Sequence, residues 1–238
     1  MNPLADLSHR SRKPEMMDNP EANVSELDHA LAHLEIINRI LGGYKGSLYG
    51  VRRFADMPPS SFSLLDVGCG SGDTLREIAK WARKNKIPMQ LFGIERCPAT
   101  ADRAKRLCQD WPEIEIRHAN LYDMPPVPSF DVVHCALVLH HFSDDSDAAR
   151  ALAQMSKLAR KGVVVNDLHR NLFAYSAIWI LTRVFSRSRI LQNDAPLSVA
   201  RAFTRQELLQ LAGTAGLSGV RIKWQWAFRW MMTADKWG

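Results

Sequence analysis

From Phe62 onward the chain alternates between two hydrophobic patterns. Short, almost unbroken apolar runs ("FSLLDVG", "MQLFGIE", "IEIRHAN", "FDVVHCALVL", "KGVVVNDL") are separated by stretches whose apolar residues recur every three or four positions. In "DTLREIAKWARK" this spacing puts Leu75, Ile78, Ala79 and Ala82 on one face, and "ATADRAKRLCQDW" and "SDAARALAQMSKLAR" repeat the pattern. Apolar strands interleaved with amphipathic helices predict an α/β fold: a doubly wound, mostly parallel sheet covered on both faces.

The flanks depart from this rhythm. Upstream, Leu27, Leu31, Leu34, Ile37 and Leu41 recur at helical spacing behind a capping-box-like Ser25 and Asp28, and Gly42-Gly43 stops the run. A shorter helix carrying Leu48, Val51 and Phe54 ends before Pro58-Pro59. Residues 25–60 therefore predict helices that cap the sheet, and the polar, proline-bearing residues 1–24 predict a mobile tail. Downstream, residues 171–203 are rich in apolar and aromatic side chains without a strand pattern, and Thr204 with Glu207 opens a further helix. The terminal "GVRIKWQWAFRWMMTADK" contains two β-like runs, a predicted antiparallel hairpin at the sheet edge. The domain proper is thus expected over 61–238, with residues 171–203 inserted as a helical lid.

Composition narrows the class only modestly. A net charge of +6 permits an acidic partner, but the basic residues are scattered, so no nucleic acid is expected. Four cysteines without CxxC spacing read as reduced thiols of a cytoplasmic protein, and no His, Asp or Glu cluster shows metal-ligand spacing, so no metal is expected. The N-terminus lacks the apolar core of a secretory signal. The longest apolar stretch, Leu172–Phe185, is too short and interrupted to span a bilayer.

The chemistry gathers at strand ends. In "LLDVGCGSGD" three glycines, Gly68, Gly70 and Gly72, follow a buried strand and open a helix. Glycine allows a tight turn and lets a ligand lie against bare backbone, at the end of the sheet where open α/β folds bind ligands. No Lys-Ser/Thr follows, which excludes a phosphate-gripping P-loop. The second strand ends in Glu95, an acid placed to accept hydrogen bonds from both hydroxyls of a ribose.

Together, "LLDVGCGSGD", the strand-end acid of "FGIER" and "HANLYDMP…SFDVVHCALVLHHF" resemble class I S-adenosylmethionine-dependent methyltransferases over roughly residues 62–168. The resemblance implies a seven-stranded Rossmann-like sheet whose last strand is reversed. It implies S-adenosyl-L-methionine as cofactor, with Gly68, Cys69 and Gly70 along its methionine and ribose portion, Glu95 on the ribose and Arg96 beside the adenine. Asn120, where many relatives carry Asp, and Leu121 are implied at the adenine edge, and Ala136 beside the methionine end. Arg39 is a candidate for the cofactor carboxylate. A weaker resemblance, carried by "INRILGG" and "VVNDLHRNLFAYSAIWILTR…PLSVARAFTRQEL", is to the branch that methylates phenols, quinones and polyketide-derived rings. It implies O-methylation of a small apolar aromatic acceptor in secondary metabolism, by a monomer or homodimer. Phe173, Tyr175 and Trp179 are expected to line the acceptor pocket, together with Leu172, Ile178, Ile180 and Leu181.

His140 and His141 end the fourth strand where the sulfonium would lie. A phenol has a pKa near 10, so an imidazole base helps form the nucleophile. In an extended chain neighbouring side chains point to opposite sides, so only one of the pair is expected to reach the pocket. His141 is the expected base or orienting group, His140 a structural or cofactor-side residue, and His169, at the start of the lid, a competitor. RNA methylation and C-methylation of a similar small molecule stand as alternatives. So does a nicotinamide oxidoreductase, although its usual spacing is GxGxxG rather than the GxGxG found here.

Overall fold

The computed structural model describes residues 6–18, 24–55, 61–186 and 188–236. Five strands, β1 (Phe62–Val67), β2 (Met89–Glu95), β3 (Ile114–His118), β4 (Phe130–Ala136) and β5 (Ala159–Leu168), run parallel. The sheet order is β3-β2-β1-β4-β5-β7-β6, and both β6 (Arg221–Gln225) and β7 (Arg229–Asp235) belong to the terminal hairpin. The strand order reverses between β1 and β4, the topological switch at which such sheets bind ligands. The hairpin is not wholly at the edge: β7 is inserted antiparallel beside β5, and only β6 is the edge strand.

Helices α3 (Asp73–Lys84), α4 (Pro98–Cys108) and α5 (Asp145–Leu158) join consecutive strands, as the spacing predicts. They bury Leu75, Ile78, Leu152 and Met155 against Leu64, Leu65, Val133 and Val163 of the sheet, giving one core on each face. The end of the predicted third helix, Ala159-Arg160, instead begins β5, because pairing of Ala159 with Phe130 completes the ladder.

Upstream, α1 (Val24–Ile40) and α2 (Gly43–Ala55) meet at Gly42, whose φ of +70° makes the bend. The Ser25 side chain and Pro58-Pro59 lie outside the described residues. Buried polar groups fasten α2 to the sheet. The Asn166 Nδ2 donates to Gly43 O at 2.7 Å, and the ring of His134 bridges Asp66 (2.7 Å) and Ser47 (2.9 Å).

The predicted mobile tail is corrected over residues 6–18, which are docked. The amides of Met16 and Met17 donate to the buried Asp194 carboxylate at 2.9 Å each, Ser11 N donates to Ala200 O, and Arg170 Nε donates to Leu7 O. The segment expected as a lid folds as α6 (Leu172–Phe185) and α7 (Arg189–Arg201), followed by α8 (Arg205–Thr214), whose predicted capping box of Thr204 and Glu207 is present. No described helix is long and apolar enough to cross a membrane.

Candidate active site

A cavity of about 1210 Å³ opens over the C-terminal ends of β1, β2 and β4. It is roofed by α1, α6, α7 and the docked segment 14–18. Pockets for drug-sized ligands run to about 1,000 Å³, so this one is large for a single small molecule.

One end is built by the glycine loop. Gly68 and Gly70 have φ of +66° and +54°, a region that side chains disfavour. A Cβ on Gly68 would lie 2.7 Å from Val138, whereas a Cβ on Gly70 meets nothing within 4 Å. Gly70 therefore presents bare backbone to open space in the cavity wall, as a cofactor cradle requires. Glu95, at the tip of β2, ties the loop in place: its carboxylate accepts from Gly70 N (3.1 Å) and Cys97 N (3.0 Å). Cys69, Arg96, Asn120, Leu121 and Ala136 line the same end. Burial raises the Cys69 thiol pKa well above its usual value, so it is a neutral packing group. Asn120 accepts from Tyr122 N at 3.1 Å and caps the turn that presents Leu121.

The other end is set by the strand exits. Leu137 adopts a left-handed φ of +58° and turns the chain out of β4 into a 3-10 turn, Leu139–His141. The expectation that only one histidine reaches the pocket is thereby corrected, because the residues are helical rather than extended. The two rings lie 4.5 Å apart and both line the cavity. Their environments differ. His140 is buried, and its Nδ1–H donates to Asp167 Oδ1 at 2.6 Å, while Asp167 also accepts from the amides of His140 and Leu168. Burial raises the Asp167 pKa, but His140 and these hydrogen bonds outweigh it and hold the carboxyl below its ordinary value. His141 Nδ1 instead faces both oxygens of Asp18 at 3.1 Å. Burial disfavours its charge, yet Asp18, Glu15 and Asp167 raise the His141 pKa above the usual imidazole value. The Asp18 pKa is lowered by His141 against the same desolvation, so the two partners agree on a charged pair.

The docked segment also corrects the expectation that no metal-type cluster exists. Glu15, His140 and His141 bring donor atoms within 4.8 Å of one another, although 125 residues separate Glu15 from His140. His140 Nε2 stands 3.8 Å from Glu15 Oε1, and His141 Nε2 stands 3.9 Å from Glu15 Oε2. Arg201 Nε sits 3.7 Å from Glu15 and supplies a fixed countercharge. Sequence spacing carried no sign of Glu15 or Asp18.

Five other expected residues lie elsewhere. Arg39 turns to solvent and pairs with Glu35 at 3.2 Å. Phe173 is 75% exposed, because it falls on the outer face of α6 with Ile180, Val184 and Phe185. Tyr175 is buried with Val199 and Ala200, and Trp179 packs against that cluster with Arg183 over its ring. None of these three aromatic residues lines the cavity; Ala174, Ala177, Ile178 and Leu181 do. The fifth, His169, packs against Trp230 with ring centroids 4.6 Å apart, away from the cavity, and burial lowers its pKa.

Residues 65–165 match the model of a methyltransferase domain family. No curated protein sequence matches the chain. Among solved structures, a SAM-dependent methyltransferase from Aquifex aeolicus aligns over 90% of this chain and 99% of its own, with 15% identity and a TM-score of 0.63. The magnesium protoporphyrin IX methyltransferase of Synechocystis PCC 6803, solved with SAH, aligns over 83% and 84%, with 14% identity and a TM-score of 0.57. The DszA carbon methyltransferase aligns over 74% of this chain and 47% of its own, with 17% identity and a TM-score of 0.54. These likenesses carry the fold, and the matched domain, the Gly70 cradle and Glu95 fit the adenosyl cofactor. The chain carries a methyltransferase domain over residues 65–165, on the fold of the SAM-dependent methyltransferases it resembles, and its cofactor is S-adenosylmethionine.

Proposed function

We propose that the chain methylates a hydroxyl oxygen of a small, largely apolar aromatic acceptor, with His140 as the base. The observation that carries this reading is the buried His140–Asp167 hydrogen bond of 2.6 Å at the cavity wall. Asp167 fixes the Nδ1–H tautomer and leaves Nε2, 3.8 Å from Glu15 Oε1, to take a proton from an acceptor. His141, paired with Asp18, acts as a positioning group rather than the base, the reverse of the sequence-based assignment. Ala174, Ala177, Ile178 and Leu181 offer the acceptor an apolar wall.

Methyl transfer needs the nucleophile, the methyl carbon and the sulfur aligned at about 3 Å with water excluded. Residues 14–18, α1 and the lid enclose the site and serve as its cap. Gly68, Cys69, Gly70, Glu95, Arg96, Asn120, Leu121 and Ala136 hold the cofactor in this reading. The four free cysteines fit a reducing, cytoplasmic setting.

The test is methyl incorporation into a panel of phenols, hydroxyquinones and resorcinols. Turnover on one of them that falls in H140A at unchanged cofactor affinity supports the reading. Methylation of ring carbon instead would favour the C-methyltransferase alternative, in which the same dyad deprotonates carbon, a reading consistent with the carbon methyltransferase among the similar structures.

A further inference from the structure

Arg229 is the first residue of β7 and lies opposite Leu168 at the end of β5. It is 3% exposed and lines the cavity. Among the described residues it has no ion-pair partner within 4.0 Å. Its Nη2 donates to the neutral Oδ1 of Asn38 at 2.9 Å, and its buried Nε has no hydrogen-bond partner. Gly43 leaves it room: a Cβ there would lie 3.3 Å from the guanidinium carbon.

Asp167 acts on this guanidinium only from beyond ion-pair distance, and a guanidinium removed from water without a contacting carboxylate is costly unless a ligand completes it. Its planar fork matches a carboxylate in two-point geometry. With β7 three strands along from β1, Arg229 starts about 14 Å from the glycine loop, on the side where the acceptor lies.

We infer that Arg229 receives a ligand carboxylate inside the cavity, and that the acceptor is an aromatic acid rather than a neutral ring. This deepens the reading of the cavity as an acceptor site and rests on it. The polar end of the acceptor would be gripped at Arg229 and Asn38, fixing the angle at which its hydroxyl meets His140. The second source of the same chemistry is the amino-acid carboxylate of the cofactor.

The test uses the whole protein and calorimetry. Naphthalene-2-carboxylate and naphthalene-2-carboxamide are titrated with S-adenosylhomocysteine present; S-adenosylhomocysteine and 5′-methylthioadenosine, which lacks the amino-acid carboxylate, are titrated alone. The variants are R229Q and N38D, the second chosen because it gives Arg229 an internal counter-ion and is expected to raise the Tm. If the acceptor is the source, naphthalene-2-carboxylate binds the wild type at least tenfold tighter than the amide, and both variants erase that preference. If the cofactor is the source, N38D weakens S-adenosylhomocysteine at least tenfold and spares methylthioadenosine, which keeps the carboxylate receptor but overturns the acidic acceptor. If the wild type shows no preference for the carboxylate over the amide and N38D leaves S-adenosylhomocysteine binding unchanged, the inference is overturned altogether. Wild-type binding of S-adenosylhomocysteine and of the amide reports the underlying site separately, so its failure is distinguishable.

Discussion

Asp18 and His141 stand 123 positions apart in the chain and 3.1 Å apart in the fold, so the N-terminal segment is part of the site. Their pKa values move toward a charged pair, which gives the contact a definite pH window. His141 is raised from 6.5, so its contribution is complete below 6.5 and is lost as pH rises through the raised value. Asp18 is lowered from 3.8, so its contribution is present above 3.8 and is lost as pH falls through the lowered value. Between these limits D18N is expected to cost about 1 kcal/mol or less, since both side chains are 27% exposed. Thermal unfolding at several pH values checks this: the gap between wild type and D18N closes as the pH is raised well above neutral. A gap that widens with pH would contradict the pair.

The two histidines should separate kinetically. H140A is expected to lower turnover about 10²–10⁴-fold, the usual loss for a removed general base, with cofactor affinity unchanged. D167N should follow it, because the amide cannot hold the imidazole tautomer in the same way. H141A should cost less in turnover and more in acceptor KM. Steady-state kinetics of the three variants on one acceptor decide the assignment; equal activity of H140A and wild type would remove His140 from the chemistry.

At the cofactor end, two substitutions report different things. E95A should weaken S-adenosylhomocysteine by about 2 kcal/mol or more through two lost charged hydrogen bonds. G70V should abolish cofactor binding, because its side chain enters the open cradle, and should cost about 1–2 kcal/mol of stability for a left-handed valine. Calorimetry and thermal unfolding read the two effects independently. A G70V protein that binds normally would place the cofactor elsewhere.

The Glu15–His140–His141 cluster gives a prediction about metal. Arg201, 3.7 Å from Glu15, already supplies the charge balance there, so exhaustive chelation should leave turnover unchanged. Loss of activity restored by a divalent ion would instead assign the cluster as a metal site.

Much of the fold was legible because its signals are local. The apolar runs that became β1, β2 and β5 and the threefold-fourfold spacing of α3 depend only on neighbouring residues, and the glycines and Glu95 stand at strand ends. The acceptor end was less legible for three physical reasons. The turn at Leu137 is a backbone conformation rather than a residue signal, so His140 and His141 were expected on an extended strand. The partners that distinguish the two histidines, Asp167 and Asp18, come from β5 and from a segment whose polar composition resembles a free tail. In α6 the apolar residues surround the helix almost completely. The larger Phe173 faces solvent while small Ala174 and Ala177 line the cavity, an inversion that helical period alone does not resolve.

The most direct measurement is a crystal structure with S-adenosylhomocysteine. The ribose is expected on Glu95, the amino-acid chain along Gly68 and Gly70, and the sulfur facing the side of the cavity lined by His140. Density for the ligand anywhere else, or a sulfur turned away from His140, would contradict that arrangement.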